Sequence, residues 1–419
     1  MPSLLSGALA PQFQAVLASA WISKRSAAKY VKEYVERVQA EAKREAGSRE
    51  AITFAPPIQV QVLGVGAGAR HEALDAVDGG EDSLFHARVK QNLVYGVADG
   101  VGGWNESGID PSVFSRSLTA YAAAAAEGTF LLHDSDEADP KDIMRRAYAA
   151  MRRDRIPAFG SATALVMSLS LASGRLRTAQ LGDSTYVVLD ARQRAKFASA
   201  EQQHGFNTPY QLTILPDPGY EQQQQRQQQS DDDATPEGEG ARYFRPTAET
   251  TAGSEAARAE IDRDDFADLV RARLDTPGDA REATHALAHN DLVVAATDGL
   301  FDNVRVDEVE KLADRFMQAI GKVQHATPAK GTAASSSSSS MPATVADLFG
   351  GLAYAVAAQA VGNYIQRDLR SPFAERAKLA GYSFTGGKPD DVTVMLAWVR
   401  EAAKAEAETK AAAEQRAKL

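Results

Sequence analysis

The sequence predicts an α+β domain built from antiparallel hairpins and helices. Residues 83–88 and 93–98 are apolar or alternating stretches on either side of a polar turn, which is the pattern of a β-hairpin. Residues 162–171 and 176–189 repeat this pattern around a Ser-Gly turn. Both hairpins predict antiparallel sheet, because strands joined by a tight turn run in opposite directions.

Helices are indicated between and after these hairpins. Asp110 and Asp139 each precede a proline, so an N-cap acceptor stands before a residue suited to the first helical position. Residues 307–320 carry apolar side chains at helical spacing. Three helices are therefore expected in these segments.

The C-terminal part continues the alternation of helix and strand. Residues 343–368 form a long apolar helix, or a helix pair broken at Gly350 and Gly351. Residues 392–399 are an apolar run rich in valine, which predicts a strand.

The chain is interpreted as one domain over residues 51–400 with an extension at each end. Low-complexity insertions near residues 216–250 and 327–340 are rich in Gln, Asp and Ser, and are expected to be loops of this domain. Residues 401–419 are rich in Ala, Glu and Lys without an apolar stripe, so a solvated helical tail is expected.

Residues 1–50 have a different composition from the rest. No charged residue precedes Lys24, and the first acidic residue is Glu33. An acid-poor, basic segment rich in Ser and Ala is typical of an organelle transit segment. An amphipathic helix continuing to Gly47 is the alternative, and the sequence leaves both open.

Composition and charge exclude several classes of protein. The formal net charge of −10 leaves no basic face, so nucleic acid is not an expected partner. The chain has no cysteine, which excludes disulfides, thiolate catalysis and Cys-based zinc sites. No run approaches eighteen apolar residues, so no transmembrane segment is predicted. Separately, we expect the protein to be a monomer.

Two apolar runs, NLVYGVADG and DLVVAATDG, stop abruptly at an Asp-Gly pair and place Asp99 and Asp298 at strand ends. A strand end can hold a carboxylate rigidly, and the adjacent glycine lets a ligand approach the backbone. Asp-Gly is also a common turn dipeptide. A hairpin would need an immediate return strand, and neither pair is followed by one.

Further acidic residues stand at predicted strand ends or tight turns. The full set is Glu81, Asp82, Asp99, Asp183, Asp298, Asp302, Asp390 and Asp391. Carboxylates that cluster raise one another's pKa unless a cation is present. Oxygen ligands of this kind suit Mg²⁺ or Mn²⁺, and a pair of such ions can activate water and clamp a phosphoryl group.

Five stretches carry a family resemblance. VADGVGGW, GSATALVMSL, LGDS, ATDGLFDN and GGKPDDVTVML, in this order, resemble the motifs of the metal-dependent type 2C (PPM) Ser/Thr protein phosphatases. EQQHGFNTPYQL, GGWNESGIDPSVFS and SPFA are similar to a branch of that family typified by a mitochondrial phosphatase. The similarity spans residues 58–400.

The resemblance implies a four-layer αββα sandwich, in which two antiparallel sheets are flanked by helices. It implies hydrolysis of phosphoserine and phosphothreonine in protein substrates, without a phospho-enzyme, at a centre of two or three Mg²⁺ or Mn²⁺ ions. The branch implies a mitochondrial location, with the cytoplasm as the alternative.

The resemblance also assigns roles to individual residues. Asp99 would bridge two metal ions, and the carbonyl of Gly100 would bind one of them. Asp298 and Asp390 would complete the coordination of one ion. Asp99, Asp298 and Asp82 are the expected catalytic residues.

The remaining acidic residues receive lesser roles from the same resemblance. Glu81 would bind the second ion, and Asp82 would support the ligands without binding the ion directly. Asp183 and Asp302 correspond to a weaker third metal site. Asp391 stands where many family members have Asn, so it is the less favoured ligand of the last pair.

The sequence departs from the family pattern at two positions. Val101 replaces a histidine proposed as general acid, and Val77 replaces an arginine that holds phosphate. His204 is a candidate for the proton donor, although a structural histidine is the ordinary reading of a lone His. Arg70 or Arg88 could hold phosphate, and the sequence does not choose between them.

Two alternatives to a protein phosphatase are considered. A catalytically silent member of the family would act as a binding module. The loss of the His and Arg favours this alternative. The complete set of metal positions argues against it. A metal-dependent phosphoesterase for small molecules would share the same site and differ in the shape of its pocket.

Overall fold

The structure is a computed structural model of the 419-residue chain. It describes residues 12–42, 53, 55–64, 79–132, 137–157, 159–215, 274–325, 343–405, 407–408 and 410.

Fifteen strands occur in these ranges. They are β1 (Phe13–Ile22), β2 (Gln59–Gly64), β3 (Asp82–Val89), β4 (Asn92–Asp99), β5 (Gly160–Ala162), β6 (Ala164–Ser170), β7 (Arg175–Leu181), β8 (Thr185–Leu189), β9 (Ala195–Ala198), β10 (Gln203–Gly205), β11 (Thr208–Pro209), β12 (Leu212–Ile214), β13 (Arg281–Ala286), β14 (Leu292–Ala296) and β15 (Val392–Glu401).

The same ranges contain seven α-helices and two short 3₁₀ turns. The helices are α1 (Lys24–Ala42), α2 (Pro111–Leu132), α3 (Pro140–Asp154), α4 (Asp298–Phe301), α5 (Val306–His325), α6 (Ala343–Tyr364) and α7 (Pro372–Leu379). The turns are Gly102–Ser107 and Pro277–Asp279.

Two antiparallel sheets pack face to face between layers of helix. One sheet has the order β2-β1-β15-β14-β8-β9 and the other β13-β7-β6-β4-β3. Helices α5 and α6 pack together and α6 covers the first sheet, while α2 and α3 cover the second. The predicted αββα sandwich is confirmed.

The start signals of the helices are confirmed by their hydrogen bonds. The side chain of Asp139 accepts from the backbone N–H groups of Lys141 and Asp142 at the start of α3. Asp110 accepts from Ser112 N at 2.9 Å at the start of α2. These acceptors satisfy N–H groups that have no partner within the helix.

The N-terminal segment belongs to the sheet. β1 pairs over its full length with β15 and also pairs with β2. Leu17 and Trp21 face the other sheet, whereas Val16 and Ile22 face the helices. Residues 13–22 are therefore a strand of the sheet, and the amphipathic helix considered for this segment does not include them.

The reason lies in burial on both faces. A strand covered on one side alternates apolar and polar residues, but a strand covered on both sides reads as a continuous apolar run. The run FQAVLASAWI therefore shows no strand period. Within the described part of this segment, Lys24–Ala42 has the predicted helical character.

Helix α6 is continuous through Gly350 and Gly351, so of the two alternatives the single long helix is correct. Gly350 lies against Val62 of β2, where an added Cβ would be 2.8 Å from a methyl carbon. Gly351 lies against the ring of Phe316 in α5. The two glycines therefore permit close packing of the helix, and they do not end it.

In the part of the chain that the structure describes, one helix is long and apolar enough to cross a membrane, at Val345–Tyr364. Phe349, Leu352 and Val356 of this helix are buried in the cluster that also contains β1 and β15. It is a core helix of the sandwich.

The C-terminal end of the predicted domain also differs from expectation. β15 continues to Glu401, and Ala405 is buried, so the tail begins as part of the packed structure. Glu408 accepts hydrogen bonds from His289 and Arg400. The insertions predicted near 216–250 and 327–340 lie outside the described residues.

Candidate metal centre

The β3–β4 hairpin brings the first group of predicted ligands together. Asp82 at the start of β3 is the Cα partner of Asp99 at the end of β4. Gly100 N donates to the carbonyl oxygen of Glu81 at 3.0 Å, which extends the pairing by one residue. Glu81, Asp82, Asp99 and Gly100 therefore lie side by side, as the hairpin predicted.

The second group comes from β14 and β15. These strands are antiparallel, and Ala296 near the end of one pairs with Val394 near the start of the other. Asp298 follows β14, and Asp390 precedes β15, so the strand register brings both to the same edge. Gly299 fits directly against the backbone of Asp391.

Thr297 joins the two groups. Its hydroxyl donates to Asp82 Oδ2 at 2.7 Å and accepts from Thr393 N at 3.1 Å. Asp82 belongs to one sheet and Thr297 and Thr393 to the other, so the bond fixes both sheets at the acidic edge. Thr297 could not be identified from the sequence, because its partner is 215 positions away.

The oxygen atoms are arranged as a cation site requires. Carboxylate oxygens of Asp298, Asp302 and Asp390 lie within 4.8 Å of one another. Asp82 Oδ1 and Asp183 Oδ1 are buried and have no hydrogen-bond partner among the residues that the structure describes. A buried carboxylate oxygen without a donor is costly unless a cation approaches it. An all-oxygen donor set of this kind suits Mg²⁺ or Mn²⁺.

Burial and mutual repulsion perturb the carboxyl groups of the centre. Burial, followed by the charges of Asp82 and Asp298, holds the pKa of Asp99 well above its usual range. Burial, followed by the charge of Asp391, does the same to the pKa of Asp82. The protein therefore resists full ionisation of this cluster by itself, and a bound cation would relieve that resistance.

Asp302 and Asp390 show the same effect to a smaller degree. Burial and then the charge of Asp298 raise the pKa of Asp302 to about 7 and that of Asp390 to about 6. The pKa of Asp183 is also well above its usual range, through burial and the charges of Asp298 and Asp302. Asp183 is therefore close enough to Asp298 and Asp302 for their charges to act on it.

Lys388 is a cation at the middle of the cluster that the sequence reasoning missed. Its Nζ donates to Asp298 Oδ2 at 2.5 Å and Asp302 Oδ2 at 2.6 Å, and pairs with Asp390 Oδ2 at 2.9 Å. Burial opposes ionisation of Asp298, but the adjacent ammonium lowers the pKa of Asp298 overall. The signal was available, since Lys388 is two positions before Asp390 in GGKPDD.

Arg376 of α7 supplies a second positive charge. Its guanidinium donates to Asp302 Oδ1 and lies 3.4 Å from Glu201. Phe373 N donates to the carbonyl oxygen of Asp302 at 3.0 Å, which places α7 against the centre.

Comparison with known proteins places this geometry in a family. A family model described as Protein phosphatase 2C matches residues 67–333. The Protein phosphatase PTC7 homolog of Xenopus laevis is 32% identical over 327 residues, which are 77% of this chain and 82% of that protein. The Homo sapiens homolog is also 32% identical over 327 residues, covering 77% of this chain and 80% of its own.

The chain belongs to the protein phosphatase 2C family.

Two more distant similarities accompany these matches. The 5-azacytidine resistance protein azr1 of Schizosaccharomyces pombe is 30% identical over 323 residues, covering 77% of this phosphatase and 82% of its own chain. The X-ray structure of the photosystem II phosphatase PBCP is similar at 23% identity and a TM-score of 0.49, over 77% of this chain and 93% of that one.

Family membership makes the chain a protein serine/threonine phosphatase, and the expected activity is confirmed.

The structure also locates His204, the candidate proton donor where the family's histidine is replaced by Val101. His204 Nε2 is 2.9 Å from both oxygens of Asp275, and its ring stacks on Tyr210. The contacts with Asp275 and Tyr210 hold the ring of His204 in place, which is the structural role considered for this histidine.

Arg88, one of the two candidates for holding phosphate, lies far from the acidic centre. This residue is six positions along β3 from Asp82, a distance of about 20 Å at the rise of an extended strand. Arg70 and Val77 lie outside the described residues. Within the described ranges, Lys388 and Arg376 are the cations in contact with the acidic centre of the phosphatase.

Asp391 is used differently from its neighbour Asp390. One of its carboxylate oxygens accepts from Lys24 N and the other from Glu81 N. Asp390 instead directs an oxygen to the Lys388 ammonium. The two members of the Asp-Asp pair therefore have different partners.

Proposed function

We propose that this phosphatase hydrolyses phosphoserine and phosphothreonine in proteins with Mg²⁺ or Mn²⁺ held by the carboxylates at the edges of its two sheets. The observation that carries the proposal is the convergence of Asp298, Asp302 and Asp390, whose oxygens lie within 4.8 Å of one another. Two ions are proposed, and a third on the Asp183 and Asp302 side.

The assignment of ligands follows the geometry of the strand ends. Asp99 and the Gly100 carbonyl would hold the ions together with Glu81, because the β3–β4 hairpin places these residues side by side. Asp298 and Asp390 would hold one ion, and Glu81 the other. Bound divalent ions would supply an activated water and charge stabilisation for the phosphoryl oxygens.

The chain's own residues prepare the centre for those ions. Asn105 Nδ2 donates to Glu81 Oε1 at 2.5 Å, and Thr297 donates to Asp82, so both carboxylates are oriented in advance. Gln203 Nε2 approaches Asp183 Oδ2 at 3.3 Å on the opposite side. Preset orientation of ligands by neighbouring donors raises metal affinity.

Positive charge at the centre would favour a phosphorylated substrate. The protein is acidic overall, so phosphate must be attracted by local cations or bound metal. Lys388 and Arg376 provide such charge where the family's arginine has no counterpart at position 77. We propose that these two side chains help to neutralise the bound phosphate.

A mitochondrial location and a monomeric state complete the proposal. The location is supported by the similarity of the branch motifs to those of a mitochondrial phosphatase. β1 limits any removed segment to residues before Phe13, since strand pairing starts there. Import of fusions that carry the N-terminal segment into isolated mitochondria tests the location, and light scattering tests the oligomeric state.

The activity is tested by phosphate release from phosphothreonine and phosphoserine peptides, sugar phosphates and nucleotides, with Mn²⁺, Mg²⁺ or EDTA. We expect release from the peptides that requires Mn²⁺ or Mg²⁺. Turnover confined to sugar phosphates or nucleotides would indicate a small-molecule phosphoesterase. A folded protein without turnover on any substrate would indicate a silent binding module.

A further inference from the structure

Asp391 lies at a junction between three distant parts of the chain. Its Oδ1 accepts from the backbone N–H of Lys24 at 2.6 Å, and its Oδ2 accepts from the backbone N–H of Glu81 at 2.7 Å. Lys24 is the first residue of α1, which follows β1. The Asp391 side chain is buried, and both of its hydrogen bonds are partly buried.

We propose that Asp391 is a positioning residue that fixes the backbone of Glu81, and through it the Glu81 carboxylate, at the metal centre. The inference rests on the proposed function, because it takes Glu81 as a metal ligand. It differs from a role for Asp391 as a ligand of its own.

The remainder of Glu81 is already held by other groups. Its carbonyl oxygen accepts from Gly100 N at 3.0 Å and from Ser115 Oγ at 2.6 Å, and its side chain accepts from Asn105. The bond from Glu81 N to Asp391 is the remaining backbone anchor. Losing it frees the N-terminal side of Glu81, so we expect its carboxylate to occupy a wider range of positions.

The turn that carries Glu81 is shaped to receive the Asp391 carboxylate. Gly80 has φ +70°, and a Cβ built on it would lie 2.2 Å from Asp391 Oδ1. Any other residue would therefore meet both an unfavourable backbone conformation and a steric clash with the carboxylate. Gly80 and Asp391 act as one contact.

Two backbone N–H donors explain why a carboxylate is needed. A carboxylate offers an acceptor oxygen to each donor, whereas an amide offers one oxygen and turns its NH₂ group toward the other donor. Asp391→Asn keeps the size of the side chain and removes one acceptor. It is the conservative variant, and Gly80→Ala disturbs the same contact from the opposite side.

The first experiment measures Mn²⁺ affinity by titration with detection of free Mn²⁺ by EPR. We expect Asp391→Asn and Gly80→Ala to weaken affinity about tenfold or more, the usual effect of removing a group that orients a ligand. Asp291→Asn is the matched control, because Asp291 is a buried carboxylate that accepts a backbone N–H and a lysine at the other end of β14. Its Mn²⁺ affinity should stay unchanged.

A double-mutant cycle separates positioning from direct ligation. If Asp391 acts through Glu81, Asp391→Asn adds little to the loss of Mn²⁺ affinity already caused by Glu81→Gln. Additive losses would overturn the inference, because they would show that Asp391 acts independently of Glu81. Normal Mn²⁺ affinity in Asp391→Asn would overturn it as well.

A second readout is independent of metal. In EDTA, amide hydrogen exchange at Lys24 and Glu81 should be faster in Asp391→Asn than in the wild type, whereas Asp291→Asn should affect the amide of Ala288. Unchanged exchange at Lys24 and Glu81 would contradict the inference. A wild type that binds no Mn²⁺ would overturn the proposed function itself, which distinguishes the two failures.

Discussion

Asp82 and Asp99 are Cα partners across the β3–β4 hairpin, so two carboxylates stand opposite each other where the two strands meet the acidic edge. Like charges directly opposite in an antiparallel pair are destabilising. The same edge is where the proposed metal ions would bind. The stability of the metal-free protein and its capacity to bind metal are therefore opposed at this position.

The metal-free protein should lose stability as the pH rises toward neutrality. The pKa of Asp302 is raised to about 7 by burial and the charge of Asp298, so the folded state holds a proton that the unfolded state releases near pH 4. This contribution is complete below that pH and is lost as the pH rises through about 7. Chemical denaturation in EDTA between pH 5 and 8 measures it.

The matched variant for this prediction is Asp302→Asn. It cannot titrate, so its unfolding free energy should decline less over the same pH range. An equal decline in both proteins would show that Asp302 is not responsible.

Replacement of Lys388 by Met should destabilise the metal-free protein and increase its response to Mn²⁺. Three carboxylates lose a buried counter-ion, and breaking a buried pair costs about 3–5 kcal/mol. Mn²⁺ restores the missing positive charge. Thermal unfolding with EDTA and with Mn²⁺ measures the difference.

Lys196→Met is the control for this effect. Lys196 pairs with the buried Asp291 at the other end of β14, outside the acidic centre. We expect it to lower the melting temperature equally in EDTA and in Mn²⁺. A Lys388→Met protein that behaves in the same way would argue that Lys388 does not share its carboxylates with metal.

Thr297→Val should weaken the bridge between the two sheets. The change keeps the shape of the side chain but leaves Asp82 Oδ2 without its donor and Thr393 N without its acceptor. We expect a loss of about 1–3 kcal/mol in unfolding free energy, together with weaker Mn²⁺ binding. Thr297→Ser retains the hydroxyl and should recover both, and failure to recover would remove the hydrogen bond as the cause.

Leu17→Ala tests the place of the N-terminal strand. Leu17 is 1% exposed and lies in the core between the sheets. Loss of its side chain should cost about 2–5 kcal/mol in denaturant unfolding. Val35→Ala on α1, where the valine is 41% exposed, should change stability by less than about 0.5 kcal/mol. Equal effects would mean that residues 13–22 are not a core strand in solution.

The hairpins and their acidic ends could be predicted from the sequence because their signals are local. The turn between β3 and β4 and the abrupt stop at Asp99 are visible in a few consecutive residues. β1 could not be identified in this way, because burial on both faces removes the alternation that marks a strand.

The supporting contacts of the centre required the folded chain. Thr297 meets Asp82, and Asp391 meets Lys24, across more than two hundred positions of sequence. Lys388 is close in sequence to Asp390, but its contacts with Asp298 and Asp302 depend on the register of β14 and β15. Local pattern predicts the ligands, and tertiary structure decides what holds them.

The central claim is that carboxylates at the ends of the strands hold the ions that hydrolyse phosphoprotein substrates. The most direct measurement is the rate of phosphate release from a phosphothreonine peptide with Mn²⁺, compared between the wild type, Asp298→Asn and Asp291→Asn. Asp291 and Asp298 stand at opposite ends of β14, so the two variants make the same chemical change on one strand. We predict a loss of about a hundredfold or more for Asp298→Asn and little change for Asp291→Asn. Full activity of a folded Asp298→Asn protein would contradict the assignment of the metal centre.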